Sequence, residues 1–136
     1  MSGIPEIILG GEYEDARGRL TFFNDFDMKP VRRLYVIEHP DTSIVRAWQA
    51  HKKEQKWFYV TAGSFKIEIV KPVEWASDSE ESKLEEFTLT TAENKLLHIP
   101  GGFANGFQAL EPHSKLMVFS DFVIAEAGTD DYRFDK

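Results

Sequence analysis

One short stretch concentrates groups that can move protons or hold an anion: Arg46, Gln49, His51, Lys52, Lys53 and Lys56 fall within eleven positions of one another. His51 is the candidate general base, because an imidazole titrates close to working pH, where proton transfer is most effective. Arg46 and Lys56 are suited to grip a phosphate or to neutralise negative charge that develops on an oxygen during reaction. Tyr35 is a candidate to protonate an intermediate or to orient hydroxyl groups. Gln49 and Asn105 can hydrogen-bond a polar ligand but cannot shuttle protons at neutral pH. Each has a plainer alternative. A lone strand histidine often serves structure, a strand tyrosine usually packs, and a lysine cluster is usually a solvated face. His39, His98 and His113 show no partner pattern and receive no role. Trp48 and Trp57 are expected to pack, with stacking on a nucleobase as the alternative.

The elements that must position these groups are strands. Apolar residues recur at period two, and Phe65-Lys66-Ile67-Glu68-Ile69 alternates cleanly between a core face and a water face. Trp57 to Val60 precedes it, and Gly63 supplies the turn of a hairpin. Further strands are expected at Val31 to Ile37, Ile44 to Trp48, Phe87 to Leu89, Lys95 to Ile99, Phe103 to Leu110 and Leu116 to Phe122. About eight short strands with turn signals between them predict an all-β sandwich or jelly-roll barrel. The 136 residues form one domain, positions 1–136. The acidic stretch from about 72 to 86 is expected to be an exposed loop, and about 125–136 a C-terminal surface extension.

Composition narrows the function. A net charge of −7 disfavours nucleic acid as a partner, since phosphate neutralisation needs a basic surface. One basic cluster in an acidic chain points instead to a small anionic ligand. No apolar run reaches the length of a membrane span, and the N-terminus lacks the pattern of a secretory signal. With no cysteine, disulfides and thiolate chemistry are excluded, and the cytoplasm is the expected compartment.

Two segments, Arg46-Ala47-Trp48-Gln49-Ala50-His51 running on to Lys56 and Gly63, and Ile99-Pro100-Gly101-Gly102-Phe103-Ala104-Asn105-Gly106-Phe107, resemble the two motifs of the cupins. The resemblance implies a cupin double-stranded β-helix, the jelly-roll barrel. In metal-binding cupins these motifs supply His-x-His, a Glu, and a final His; the corresponding positions here are Gln49, His51, Lys56 and Asn105. A lysine ammonium offers a metal no lone pair and repels it, so no metal and no cofactor are expected. A metal-dependent dioxygenase of this fold would instead hold stoichiometric iron, manganese or zinc.

Over residues 15–122 the chain resembles the dTDP-4-dehydrorhamnose 3,5-epimerases and the nucleotide-sugar 3,4-ketoisomerases. Asp15-Ala16-Arg17-Gly18 and Ala92-Glu93-Asn94-Lys95 are similar to epimerase motifs, which implies phosphate binding by Arg17. The ketoisomerases carry Arg-Gly-Phe-His-Ala-His-Lys-Lys where this chain has Arg46 to Lys53, with a tyrosine in the preceding strand, so Tyr35 and His51 match by spacing. Gln49 stands at the first histidine, which is the base position of the epimerases. Asn105 replaces the histidine of Phe-Ala-His-Gly-Phe, and Met117 aligns with the epimerases' acidic tyrosine. The implied activity is isomerisation of a nucleotide-linked 4-keto-6-deoxy sugar, 3,4-ketoisomerase-like, with a nucleotide-diphosphate sugar as partner and a homodimer as assembly. The alternative is a non-catalytic cupin that binds carbohydrate or nucleotide sugar.

Overall fold

Period-two alternation is obeyed most strictly where two faces of a strand meet different surroundings. In Arg33–His39 the residues Arg33, Tyr35, Ile37 and His39 turn inward while Leu34, Val36 and Glu38 stay exposed. The computed structural model describes residues 3–72 and 81–134. Its strands are β1 (Glu6–Leu9), β2 (Gly11–Asp15), β3 (Gly18–Phe22), β4 (Arg33–His39), β5 (Val45–His51), β6 (Lys56–Ala62), β7 (Ser64–Pro72), β8 (Glu81–Thr90), β9 (Lys95–Ile99), β10 (Phe103–Ala109), β11 (Ser114–Ser120) and β12 (Tyr132–Arg133). A short helix α1 (Ile124–Ala127) and a 3-10 turn (Gly128–Asp130) precede β12. None of the described helices is long and apolar enough to cross a membrane.

Two antiparallel five-stranded sheets, in the orders β1-β9-β6-β11-β4 and β12-β5-β10-β7-β8, pack as the expected all-β sandwich. Their inner faces meet in one core: Phe58, Val60, Leu97, Leu116 and Val118 from the first sheet, Phe65, Ile67, Ile69, Leu89 and Phe107 from the second. Side chains from both sheets exclude water from each other there, and burying each one stabilises the fold by roughly 1.5–3 kcal/mol. Gly63 takes φ 72° in the β6–β7 hairpin, as the sequence requires. The outer face of the first sheet carries a second apolar layer, in which Trp57 and Phe119 pack against Phe26 of the β3–β4 connection.

Some expectations change. No strand was expected before residue 31, yet β1, β2 and β3 are there. Strands β2 and β3 form a two-stranded sheet of their own with most residues exposed, so no buried face imprints an alternation on them. Within the expected loop, Glu81 to Glu86 belong to β8, whose residues Leu84, Glu85 and Glu86 pair with Val70, Ile69 and Glu68. Strand β8 is an edge, where charged residues are common, and composition alone reads such a strand as loop. Residues 73–80 of that stretch lie outside the described residues. The segment expected as a surface extension folds back onto the second sheet: β12 pairs with β5, and Asp130 is buried.

Candidate active site

Strand β5 carries most of the chemistry, and a bulge decides which side chains share a face. Opposite β10, Gln49 pairs with Asn105 and Arg46 with Phe107, so three residues of β5 are spanned by two of β10. The extra residue shifts the alternation, and Arg46 comes to face the same interior as Gln49, although the two are an odd number of positions apart. Gly106 makes the close approach possible, since a Cβ there would lie 2.7 Å from the Cβ of Ala47.

The result is a cavity of about 390 Å³ between the sheets, lined by Tyr35 of β4, Arg46 and Gln49 of β5, Lys56 and Phe58 of β6, Asn105 and Phe107 of β10, Val118 of β11, and Arg133 and Phe134 of the tail. Among the described residues its lining includes three cations, Arg46, Lys56 and Arg133, and no carboxylate. Trp48 also lines it and packs with Tyr132 and Phe134. A second cavity of about 430 Å³ shares Tyr35, Gln49, Lys56 and Arg133 with the first and adds Arg33, His51, Glu54 and Asp131.

The Gln49 amide stands on the boundary between them. Lys56 Nζ donates to its Oε1 at 3.1 Å, and its Nε2 donates to Asp131 Oδ1 at 3.3 Å. Asp131 in turn accepts from Arg133 Nε at 2.8 Å, so a lysine that only donates and a carboxylate that only accepts orient the amide from opposite ends. Asn105 Nδ2 reaches the Gln49 carbonyl at 3.4 Å. Burial drives the Lys56 ammonium down to a pKa of about 8, against the attraction of Glu54. Burial likewise raises the Tyr35 phenol, whose ring lies 5.3 Å from the Arg33 guanidinium carbon.

His51 is buried at the end of β5. Its Nδ1 lies 2.6 Å from the carbonyl oxygen of Asp130 and 3.5 Å from Glu54 Oε1. Burial lowers its pKa, and the Lys56 charge lowers it further, against the opposing pull of Asp130 and Glu54. Glu54 Oε2 accepts from Ser120 Oγ at 2.6 Å and from Arg33 Nη2 at 3.1 Å. The Asp130 carboxylate accepts the backbone N–H groups of Lys52, Lys53 and Glu54 at 2.8, 2.7 and 2.8 Å. Burial pushes its pKa up, and those three donors outweigh burial and hold it below the usual value. The loop between β5 and β6 is pinned on its other side too, because Gly102 N–H donates to the His51 carbonyl at 2.7 Å.

Of the residues singled out from sequence, Tyr35, Arg46, Gln49, His51, Lys56 and Asn105 gather around these two cavities. Arg17 does not. It sits in the exposed β2–β3 turn, paired with Asp15 at 2.6 Å, beside a separate cavity lined by residues of that hairpin. Met117 faces the outer apolar layer, and its neighbour Val118 is the residue of β11 that reaches the cavity. Trp57 stacks on His98 at 4.9 Å in that outer layer, and His98 Nε2 lies 2.8 Å from Gln55 Oε1. Sequence reasoning passes over Arg33, Glu54, Asp130, Asp131 and Arg133. The alternation that includes Tyr35 also includes Arg33, and Tyr132-Arg133-Phe134 is a strand-like triplet in an otherwise polar tail; these were the available signals.

A metal does not fit this arrangement. At the four positions where related barrels place ligands stand an amide, one imidazole, an ammonium and a second amide, and the imidazole's Nδ1 is already engaged by a carbonyl. Among the described residues no group of three or more histidines and carboxylates is placed to hold a cation.

Comparison with solved structures places the fold. The 3,4-ketoisomerase QdtA from Thermoanaerobacterium thermosaccharolyticum, solved in complex with TDP, superposes with a TM-score of 0.74 at 22% identity, covering 96% of this chain and 88% of that one. The TDP-quinovose 3,4-ketoisomerase from Campylobacter jejuni gives 0.72 at 22% identity, covering 96% and 92%. The dTDP-4-dehydrorhamnose 3,5-epimerase from Bacillus anthracis, with TDP and pyrophosphate bound, gives 0.72 at 20% identity, covering 89% and 75%. These likenesses establish the cupin barrel expected from the two motifs. No curated protein matches the chain by sequence. The family model described as FdtA: WxcM-like, C-terminal matches residues 4–135, all but the extreme ends, and the chain belongs to that family.

Proposed function

We propose that this chain isomerises a nucleotide-linked 4-keto-6-deoxy sugar by metal-independent proton transfer, moving the ketone between C4 and C3. The observation that carries the reading is the cavity lined by Arg46, Lys56 and Arg133 and, among the described residues, by no carboxylate, in a chain whose net charge is −7. Such a cavity favours a diphosphate. The solved relatives bound to TDP support a nucleoside diphosphate as the carrier.

In this reaction a base takes the hydrogen on C3, its bonding pair becomes the C3=C4 double bond, and the C4 oxygen gains a proton to give an enediol. Delivery of a proton to C4 and loss of the O3 proton leave the ketone at C3. His51, held neutral by burial, is the base. Lys56 and Arg46 stabilise the oxygen that gains negative charge, and Tyr35 orients or protonates it. Gln49 and Asn105 hydrogen-bond the sugar. Arg17, remote from the cavity within the chain, is proposed as a phosphate contact only on the epimerase resemblance.

Incubation with TDP-4-keto-6-deoxyglucose in deuterated water, followed by NMR, tests the reading. Deuterium at C3 or C4 and a new ketosugar are expected. Neither, across several nucleotide forms, overturns it. The placement of Gln49 and Asn105, two amides, on the cavity wall favours a second reading, a binding protein without turnover. Calorimetric binding with no isotope exchange is its signature.

The proposed assembly is a homodimer and the proposed setting the cytoplasm. Strand β4 is an unpaired sheet edge whose outward Leu34 and Val36 are 53% and 49% exposed, a surface suited to pairing with a second copy. Sedimentation is expected to give twice the 15.6 kDa chain mass; a monomer at micromolar concentration sinks the dimer.

A further inference from the structure

The 3-10 turn places one residue in contact with both the ring of His51 and the loop that follows it. The Asp130 carbonyl oxygen lies 2.6 Å from His51 Nδ1. A carbonyl has only lone pairs to offer, so Nδ1 must carry the proton. Glu54 Oε1, at 3.5 Å, is a second acceptor beside the same nitrogen. In the opposite tautomer an Nδ1 lone pair would face both oxygens. The proton would then sit on Nε2, which is shielded from solvent and has no hydrogen-bond partner among the described residues. Nε2 lacks a partner in either tautomer, so the lone pairs set against each other at Nδ1 are what the protein disfavours.

What holds the carbonyl in place is the carboxylate of the same residue. It takes the N–H groups of Lys52, Lys53 and Glu54, three consecutive amides of the loop that begins where His51 ends. Next along the chain, β12 pairs Tyr132 with Ala50 and Arg133 with Gln49. The turn is therefore anchored to β5 on one side of Asp130 and to the β5–β6 loop through its side chain. On the strand and the loop both anchors engage main-chain groups, so the side chains of Gln49 and Arg133 remain on the cavity wall.

We infer that Asp130 is a positioning residue for His51: its carboxylate locks the tail to the loop, its carbonyl imposes the Nδ1–H tautomer, and Nε2 is left as the proton acceptor facing the substrate. The last step rests on the isomerase reading above; the tautomer does not. A base shielded from water keeps its lone pair for the substrate, and which ring nitrogen is free is set by the bond the other one makes.

The test is the ring tautomer itself, read from two-bond proton–nitrogen correlation spectra of 15N-labelled protein at neutral pH, with the His51→Asn spectrum identifying the His51 signals. A protonated Nδ1 and an unprotonated Nε2 are expected in the unmodified chain. In Asp130→Ala the pattern should move towards a mixture with the Nε2–H form, and kcat should fall at least roughly 10- to 100-fold, the range for loss of an outer orienting partner, while KM changes little. Asp130→Asn, which keeps one acceptor oxygen, should fall between the two. A wild-type His51 in the Nε2–H form overturns the inference, as does an Asp130→Ala or Asp130→Asn protein with the wild-type ring pattern and full turnover. If Asp130→Ala does not fold, the wild-type spectrum and Asp130→Asn still decide. An unmodified protein with the Nδ1–H ring but no turnover on any nucleotide-linked ketosugar supports the positioning role and overturns the isomerase reading alone.

Discussion

At the scale of single residues, the site consists of one imidazole kept neutral and several cations kept close. His51→Asn keeps a polar side chain of similar size but cannot accept a proton, so turnover should fall by roughly 10²- to 10⁴-fold while calorimetry still detects TDP. Equal loss of binding and turnover would argue that His51 shapes the cavity and does no chemistry. Lys56 has the opposite character. Its ammonium is held at a pKa of about 8 by burial, so the cavity loses a charge as pH rises through that value, and TDP affinity should weaken above about pH 8 in step. The same burial makes Lys56 costly to the fold. A lysine whose folded pKa lies below its unfolded value destabilises fully below the folded pKa and is relieved as pH rises from there towards the unfolded value near 10.5. Lys56→Met is therefore expected to raise the melting temperature at neutral pH, by a stabilisation on the order of 2 kcal/mol, and to weaken TDP binding at least tenfold. Unchanged melting together with unchanged affinity would contradict both halves.

At the scale of elements, the decisive contacts are backbone to backbone. The Pro100-Gly101-Gly102 turn that leads into β10 presses on the loop after His51: a Cβ on Gly101 would lie 2.5 Å from the Lys52 carbonyl oxygen and 2.9 Å from Lys53 Cα. Main-chain atoms cannot swing aside as a side-chain tip can, so Gly101→Ala must shift the loop. The expected outcome is a loss of kcat with a smaller loss of stability, roughly 1–3 kcal/mol, measured by denaturant titration beside steady-state kinetics. Full activity in that variant would mean the loop tolerates displacement and that the position of His51 is not held from this side. The β5 bulge acts at the same scale. It brings Arg46 into the cavity, and it exists because the pairing of β5 with β10 gains an extra residue between Gln49 and Arg46.

For the whole molecule, acid stability follows from which groups are buried uncharged. His39, His51 and His98 all have lowered pKa values, with burial the first cause in each. His39 is flanked by Phe65 and Phe107, and neither of its ring nitrogens has a hydrogen-bond partner among the described residues. An imidazole with a folded pKa below its unfolded one contributes stability above the unfolded value, about 6.5, and loses it as pH falls from there through the folded value. The carboxyls of Asp130 and Asp131 are also lowered, Asp131 chiefly by its bond to Arg133. Their contribution is present above about 4 and is lost below it. The melting temperature should thus decline in two stages on acidification, the first beginning near pH 6.5. His39→Phe should blunt the first stage and leave the second. A melting temperature constant from pH 7.5 to 5 would contradict the assignment of these imidazoles as buried and neutral.

The barrel was legible from sequence, and six of the seven residues picked from it line the two cavities, because their causes are local. Alternation marked β4 to β7, glycine marked the hairpin, and the spacing from Arg46 to Lys56 put a histidine and cations on neighbouring strands. The expectation that no metal binds rests on residue type as well, a lysine and two amides standing at the ligand positions. The sequence could not reveal β2 and β3, which bury no face, or extend β8 back from Phe87 to Glu81, where the charged edge looks like loop. Nor could it show that the tail closes the site. Asp130 acts through a carbonyl and three distant amides, and Arg133 reaches the cavity only because β12 pairs with β5. Bonds between residues some eighty positions apart leave no periodic trace in a single chain, and only tertiary structure decides them.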